Sequence, residues 1–181
     1  MELLATVLVA VWVMLPAYIP NNVAVLAGGG RPIDGGRTWQ GNRILGDGKT
    51  WRGTIVGIGA GVVLAVLLGH GADAASAASG IPFPAFSIGI ALAFPTGALL
   101  GDMAASFVKR RTGRARGAPL PLIDQLDFLI VALVVGFVVD PAWMLATFDT
   151  RLLVVVFVLT PILHVTTNGI AYLVGVKNEP W

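Results

Sequence analysis

Apolar residues along this chain come in long unbroken runs rather than in alternation, which points to helices and away from strands. A helix crossing the roughly 30 Å hydrocarbon core of a bilayer needs about 20 mostly apolar residues. Five windows meet that length: Leu3–Ala27, Trp51–Gly69, Pro84–Val108, Asp124–Trp143 and Leu152–Val176. Pro16, Pro20, Asn21 and Asn22 break the second half of the first window and suggest an unwound helix lining a cavity. Pro141 predicts the stop of the fourth, and Pro161, His164 and Asn168 interrupt the fifth. The early part of the chain has no basic region before its apolar run, its only early charge being Glu2, so the first window is expected to be a retained span rather than a cleaved signal peptide. The pattern predicts one all-α domain over residues 1–181, a polytopic membrane helix bundle.

Composition removes the soluble alternative. Of 181 residues, 56% are hydrophobic and only 12% charged, and the mean hydropathy is +0.82. Soluble domains carry about 25% charged residues, so too little polar surface is left to coat a globule in water. Absence of cysteine excludes disulfide scaffolds, thiolate metal sites and cysteine nucleophiles.

The small net charge matters less than its placement. Arg31, Arg37, Arg43, Lys49 and Arg52 lie in or beside the 28–50 loop, and Lys109, Arg110, Arg111, Arg114 and Arg116 in the 109–123 loop; only Arg151 and Lys177 lie elsewhere. The positive-inside rule then puts both loops in the cytoplasm, the N-terminus outside and the C-terminus inside, an alternation that five transmembrane helices close. Residues 70–83, without Lys or Arg, are expected outside. Ten basic residues also attract anionic headgroups, at about 1 kcal/mol each near the surface.

The two loops carry more than topology. Gly46-Asp47-Gly48-Lys49-Thr50-Trp51-Arg52-Gly53 combines glycines, whose amides can approach an anion, with Lys49 and Arg52. It is not a Walker A loop, because Arg43 stands where that motif needs glycine. Asp102, Ser106 and Lys109 share one helix face at i, i+4, i+7, while Asp124 and Asp127 project together at i, i+3. Ionisable residues inside a span are costly and by default mark function. Three carboxylates beside two basic clusters suit Mg²⁺ and phosphates, since carboxylates hold Mg²⁺ and Lys and Arg neutralise the remaining charge. The bland alternatives are an ion pair of Asp102 with Lys109 or Arg52, an N-cap role for Asp124, and interhelical hydrogen bonds for Thr160, His164, Thr167 and Asn168.

Gly101-Asp102, Ser106-x-x-Lys109-Arg110 and Asp124-x-x-Asp127 together resemble the signature of the membrane CDP-diacylglycerol synthases. The Pro16–Asn22 segment, the Gly46–Gly53 loop and the Ser106-to-Asp127 block are more similar still to the short archaeal branch, the CDP-archaeol synthases. Gln125 in place of an Arg, and no His-Gly-Gly before Asp124, argue against phosphatidate as substrate. The resemblance implies transfer of a cytidylyl group from CTP to 2,3-di-O-geranylgeranylglycerol 1-phosphate at a cytoplasm-facing site in the cell membrane. Asp102, Asp124 and Asp127 would hold Mg²⁺, with one or two cations, and Lys109 and Arg110 would neutralise nucleotide phosphates. Gly46, Gly48, Lys49, Thr50 and Arg52 would clamp the triphosphate or the lipid phosphate, with Ser106 on the same face and Asn21 and Asn22 lining the cavity. The expected partners are CTP, a polyprenyl glycerol phosphate and the bilayer, with no nucleic acid; a homodimer is compatible with the sequence, and no face demands it. The alternative is a small ion or phosphate transporter using Asp102 as its coupling site, although the halves show no repeat of the transporter kind.

Overall fold

The computed structural model describes residues 2–113 and 123–175, so Arg114, Arg116, Pro119, Pro121 and Lys177 lie outside the described residues. Six helices and one small hairpin account for most of it: α1 Leu3–Leu26, β1 Thr38–Trp39, β2 Asn42–Arg43, α2 Trp51–Ser79, α3 Ile88–Arg111, α4 Ile123–Val139, α5 Pro141–Thr147 and α6 Thr150–Leu173. Among these, α1, α2, α3 and α6 are long and apolar enough to cross a membrane. The 17 residues of α4 lie at the short end of the spanning range, about 17–25.

The helix ends follow local chemistry. Thr50 caps α2 by accepting from the Gly53 amide at 3.1 Å, Ser87 caps α3 through the Ile90 amide at 3.2 Å, and Asp149 caps α6 through the Leu152 amide at 2.7 Å. Lys109, Arg110 and Arg111 occupy the last turn of α3, where cations suit the helix dipole. Asp140 separates α4 from α5, accepts from the Trp143 amide at 3.0 Å and places Pro141 in the first turn of α5.

Two expectations need correction. α1 is helical straight through Pro16, Pro20, Asn21 and Asn22 instead of unwinding. The reason lies in its neighbour: Gly53, Gly57 and Gly61 of α2 are packed against the carbonyls of Ala24, Pro20 and Pro16. The Pro16 carbonyl, which loses its helical donor to Pro20, is therefore covered by the Gly61 backbone, where weak Cα–H···O contact is possible only without a side chain. Also, α2 continues past Gly69 to Ser79 and stops at Gly80, whose φ is +70°. Ala72, Ala74, Ala75, Ala77 and Ala78 supply strong helix formers beyond Gly69, where the apolar window ended.

Met14 of α1, Phe94 of α3, Leu129 of α4 and Leu152 and Val156 of α6 are fully buried and form the core. α2 buries mainly glycine and alanine (Gly53, Gly57, Gly61, Ala65 and Ala72) while Ile55, Val63 and Leu67 face outward. Tyr18 on α1 hydrogen-bonds Thr160 on α6 at 2.8 Å, so Thr160 serves interhelical bonding. A second glycine seam joins α3 to α4: a methyl at Gly97 would lie 2.6 Å from the Ala132 Cα, and one at Gly101 would collide with the Asp127 carbonyl. The result is that the C-terminal ends of α1 and α3 and the N-terminal ends of α2 and α4 meet at one end of the bundle.

Candidate active site

Gly101 sets the spacing of the acidic residues. Because α3 and α4 touch backbone to backbone there, the neighbouring Asp102 and the facing Asp127 are held at the same level, one turn inside Asp124. Asp127 lies in the electrostatic field of Asp102, Asp124 and Lys49, and its Oδ1 accepts from the Phe128 amide at 2.5 Å. No ion pair to Asp127 occurs among the described residues.

Its two acidic neighbours are each matched by one lysine. Asp102 pairs with Lys49 from the other glycine-rich segment, and Asp124 pairs with Lys109 at 2.5 Å. Neither Lys109 nor Arg52 is the partner of Asp102; Arg52 instead donates to the Ala27 carbonyl at 2.8 Å. All four side chains keep between about a fifth and a third of their surface exposed, so the ions reach solvent and can exchange partners. Three carboxylates thus face two lysines, a donor set of hard oxygens that fits a divalent cation chemically. Among the described residues, however, no three acidic or histidine side chains stand at metal-coordinating spacing. The arrangement is one of ion pairs.

Beside them is a small cleft lined by Asn21, Ala24, Gly48, Lys49, Thr50, Asp102 and Met103 among others. The Asn21 Oδ1 is buried in it and accepts no hydrogen bond among the described residues. Asn22 is exposed and returns its amide to the Tyr18 carbonyl at 3.2 Å, so it does not line the cleft. Gly46 lies against Arg110, whose Nε is 4.0 Å from the place a methyl would take. Ser106 lies one turn beyond Asp102 on α3, half-buried. The structure therefore brings Asn21, Gly48, Lys49, Thr50 and Asp102 together, with Gly46, Lys109, Arg110, Asp124 and Asp127 around them, and leaves Asn22 and Arg52 aside.

The profile of the CarS-like CDP-archaeol synthases matches residues 3–181. The chain belongs to the CDP-archaeol synthase family. It is similar to the CDP-archaeol synthase of Halorubrum lacusprofundi, 62% identical over 95% of this chain and 96% of that one. Against that of Halobacterium salinarum it is 61% identical over the full length of both, and against that of Methanococcoides burtonii 45% identical over 93% of this chain and all of the other. A solved structure described as an intramembrane enzyme for archaeal membrane lipid biosynthesis superposes with a TM-score of 0.69 at 39% identity, covering 88% of this chain and 92% of that one. A membrane-embedded cytidylyltransferase is thus the setting for the ion pairs described above.

For a member of this family, sequence reasoning passed over three residues that shape the site: Asp34, Arg43 and Arg111. Arg111 entered only as a loop charge, and Arg43 as a loop charge and as the residue that breaks the Walker A pattern. Asp34 is buried, with 1% of its side chain exposed, and Arg43 holds its carboxyl far below the usual carboxylate range, helped by backbone amides of Gly46, Leu45 and Gly36 against the opposing cost of burial. The one available signal was Asp34-Gly35-Gly36, since an Asp before glycines makes an Asx turn by accepting from the amide two residues on. That bond is present at 3.0 Å to Gly36.

Proposed function

We propose that this chain transfers a cytidylyl group from CTP to 2,3-di-O-geranylgeranylglycerol 1-phosphate, giving the CDP-activated lipid and pyrophosphate. The observation that supports this most is the meeting of the Gly46–Lys49 loop with the α3 and α4 carboxylates through the Lys49–Asp102 pair. In the reaction, a non-bridging oxygen of the lipid phosphate attacks the α-phosphorus of CTP. The bond from that phosphorus to the α,β-bridging oxygen breaks, and the electron pair leaves with pyrophosphate. The attacking oxygen is already ionised near neutral pH, so no general base is required; the difficulty is bringing two anions together.

Lys49, with the amides around Gly46 and Gly48, takes the triphosphate, while Lys109 and Arg110 offset charge on the phosphates from the end of α3. Thr50 holds the start of α2 in place with the lone pair that caps the helix, and Asn21 offers its Oδ1 to a substrate hydroxyl or amino group. Asp102, Asp124 and Asp127 would hold Mg²⁺, which when bound offsets phosphate charge and polarises the α-phosphoryl group. Lys49 and Lys109 then turn from carboxylate to phosphate and trade one anion for another at little cost. The isoprenoid chains stay in lipid, which spares the cost of exposing them to water, about 0.8 kcal/mol per CH₂.

The basic loops support a five-span orientation with the N-terminus outside and the site facing the cytoplasm. A cysteine placed at Ala77, exposed near the end of α2, should react with an impermeant thiol reagent from outside intact cells. Purified protein with labelled CTP, Mg²⁺ and the lipid phosphate should release pyrophosphate only when the lipid is present. Release without lipid, or lipid-independent uptake of ions into liposomes, would contradict the reading.

A further inference from the structure

We propose that Asp34 is a positioning residue for nucleotide binding: it fixes the Gly46–Lys49 loop so that Lys49 is presented at Asp102. The inference rests on the reading that Lys49 serves the triphosphate of CTP. Asp34 does not touch the cleft that holds Lys49 and Asp102, and its two oxygens are already saturated. Oδ1 accepts from Arg43 Nη2 at 2.7 Å and the Gly36 amide at 3.0 Å. Oδ2 accepts from Arg43 Nε at 3.2 Å and the amides of Leu45 and Gly46, both at 3.0 Å. Five donors leave no capacity for substrate, so whatever Asp34 does must pass through the loop it organises.

The connection from Asp34 to Lys49 is short. The Gly46 amide bonds Asp34, and the Gly46 carbonyl accepts from the Lys49 amide at 3.3 Å. The Lys49 carbonyl in turn accepts from the Ile33 amide at 2.8 Å, and the Trp51 amide donates to the Arg31 carbonyl at 3.2 Å. The backbone on both sides of Lys49 is therefore clipped to the segment carrying Asp34.

A second anchor ties the loop to the helix that bears Asp102. Arg111, two turns beyond Asp102 on α3, donates to the carbonyls of Trp39 at 2.5 Å, Asn42 at 3.2 Å and Arg43 at 2.9 Å. Its guanidinium also lies over Trp39 and Phe107, at 5.2 and 5.4 Å from the ring centres. Asp34 and Arg111 thus both hold the β1–β2 hairpin, one through the Arg43 side chain and the other through the hairpin carbonyls, and the register of Lys49 against Asp102 follows.

Asp34→Asn keeps the shape but presents an NH₂ donor to groups that are themselves donors, breaking part of this set. Equilibrium binding of labelled CTP with Mg²⁺ to the purified protein should weaken by about tenfold or more, the scale of losing a hydrogen bond to a charged group. In a Lys49→Ala background the same change should alter binding by less than about twofold, because its effect runs through Lys49. Thermal unfolding of the helices should be unchanged, and hydrogen exchange should rise over residues 33–50 but not in α1, α3 or α6. Additive losses in the double variant, or unaltered exchange over 33–50, overturn the proposal. Wild-type protein that binds no CTP defeats the functional reading instead, and the exchange result then decides by itself whether Asp34 fixes the loop.

Discussion

Two groups of carboxylates sit within the same end of this bundle and are treated in opposite ways. Asp34, in the loop before α2, is buried and surrounded by one arginine fork and three amides. Asp102, Asp124 and Asp127, at the ends of α3 and α4, are partly exposed, and two of them are balanced by one lysine each. An arginine fork holds a carboxylate in one geometry, whereas an ammonium is a point charge that can be drawn to another anion. The first group is built to stay as it is. The second keeps its charges partly in solvent, where a lysine can be drawn to another anion. The difference separates a carboxylate locked into its loop from carboxylates held by exposed ion pairs, although both are aspartates beside basic side chains.

Substitutions should divide along the same line. Asp102→Asn or Asp127→Asn should lower lipid-dependent pyrophosphate release by about 10²–10³-fold, the usual scale for a preorganised charged group, with the unfolding midpoint unchanged. If activity survives within a few-fold, the α3–α4 carboxylates are not the working set. Next in size is Gly101→Ala. The added methyl would collide with the Asp127 carbonyl and lie 2.7 Å from the Phe128 Cα, so α3 and α4 must separate, at about 1–3 kcal/mol for overpacking. Activity and thermal stability should fall together here, unlike for the aspartates. Gly71→Ala on α2 meets open space and should leave both within about 0.5 kcal/mol.

The pH response sharpens the contrast further and should be the smallest effect. Arg43 and the surrounding amides depress the Asp34 pKa. Its stabilisation of the loop is then fully present above the unfolded value of about 3.9 and is lost only as pH falls through the lower folded value. Hydrogen-exchange protection over residues 33–50, corrected for intrinsic rates, should therefore be flat from about pH 8 down to about pH 5. A steep loss near neutrality would mean that the loop depends on a different group.

Much of this was legible in the sequence, for reasons that differ from residue to residue. Four of the spans, α1, α2, α3 and α6, are legible because lipid demands long apolar runs, and α3 ends in Lys109-Arg110-Arg111, where cations suit the helix dipole. Asp102, Lys109, Asp124 and Asp127 are legible because their spacing is local and helix geometry fixes which way they project. The partner of Asp102 was not, because Lys49 lies 53 positions away and only the packing of α1, α2 and α3 brings it near. The continuity of α1 was hidden for a similar reason: Pro16 and Pro20 act as breakers in isolation and are accommodated only because Gly57 and Gly61 lie against them. The β1–β2 hairpin is too short and polar to register as alternation, and burial of Asp34 in a polar loop leaves no mark in hydropathy.

The account depends most on the claim that the α3–α4 carboxylates exchange lysine for a divalent ion when CTP arrives. Anomalous diffraction from Mn²⁺ in crystals of the protein grown with CTP tests it directly. The account predicts an anomalous peak in contact with Asp102, Asp124 and Asp127, with Lys49 moved onto the triphosphate. A peak elsewhere, with Lys49 still on Asp102 and Lys109 still on Asp124, would contradict it.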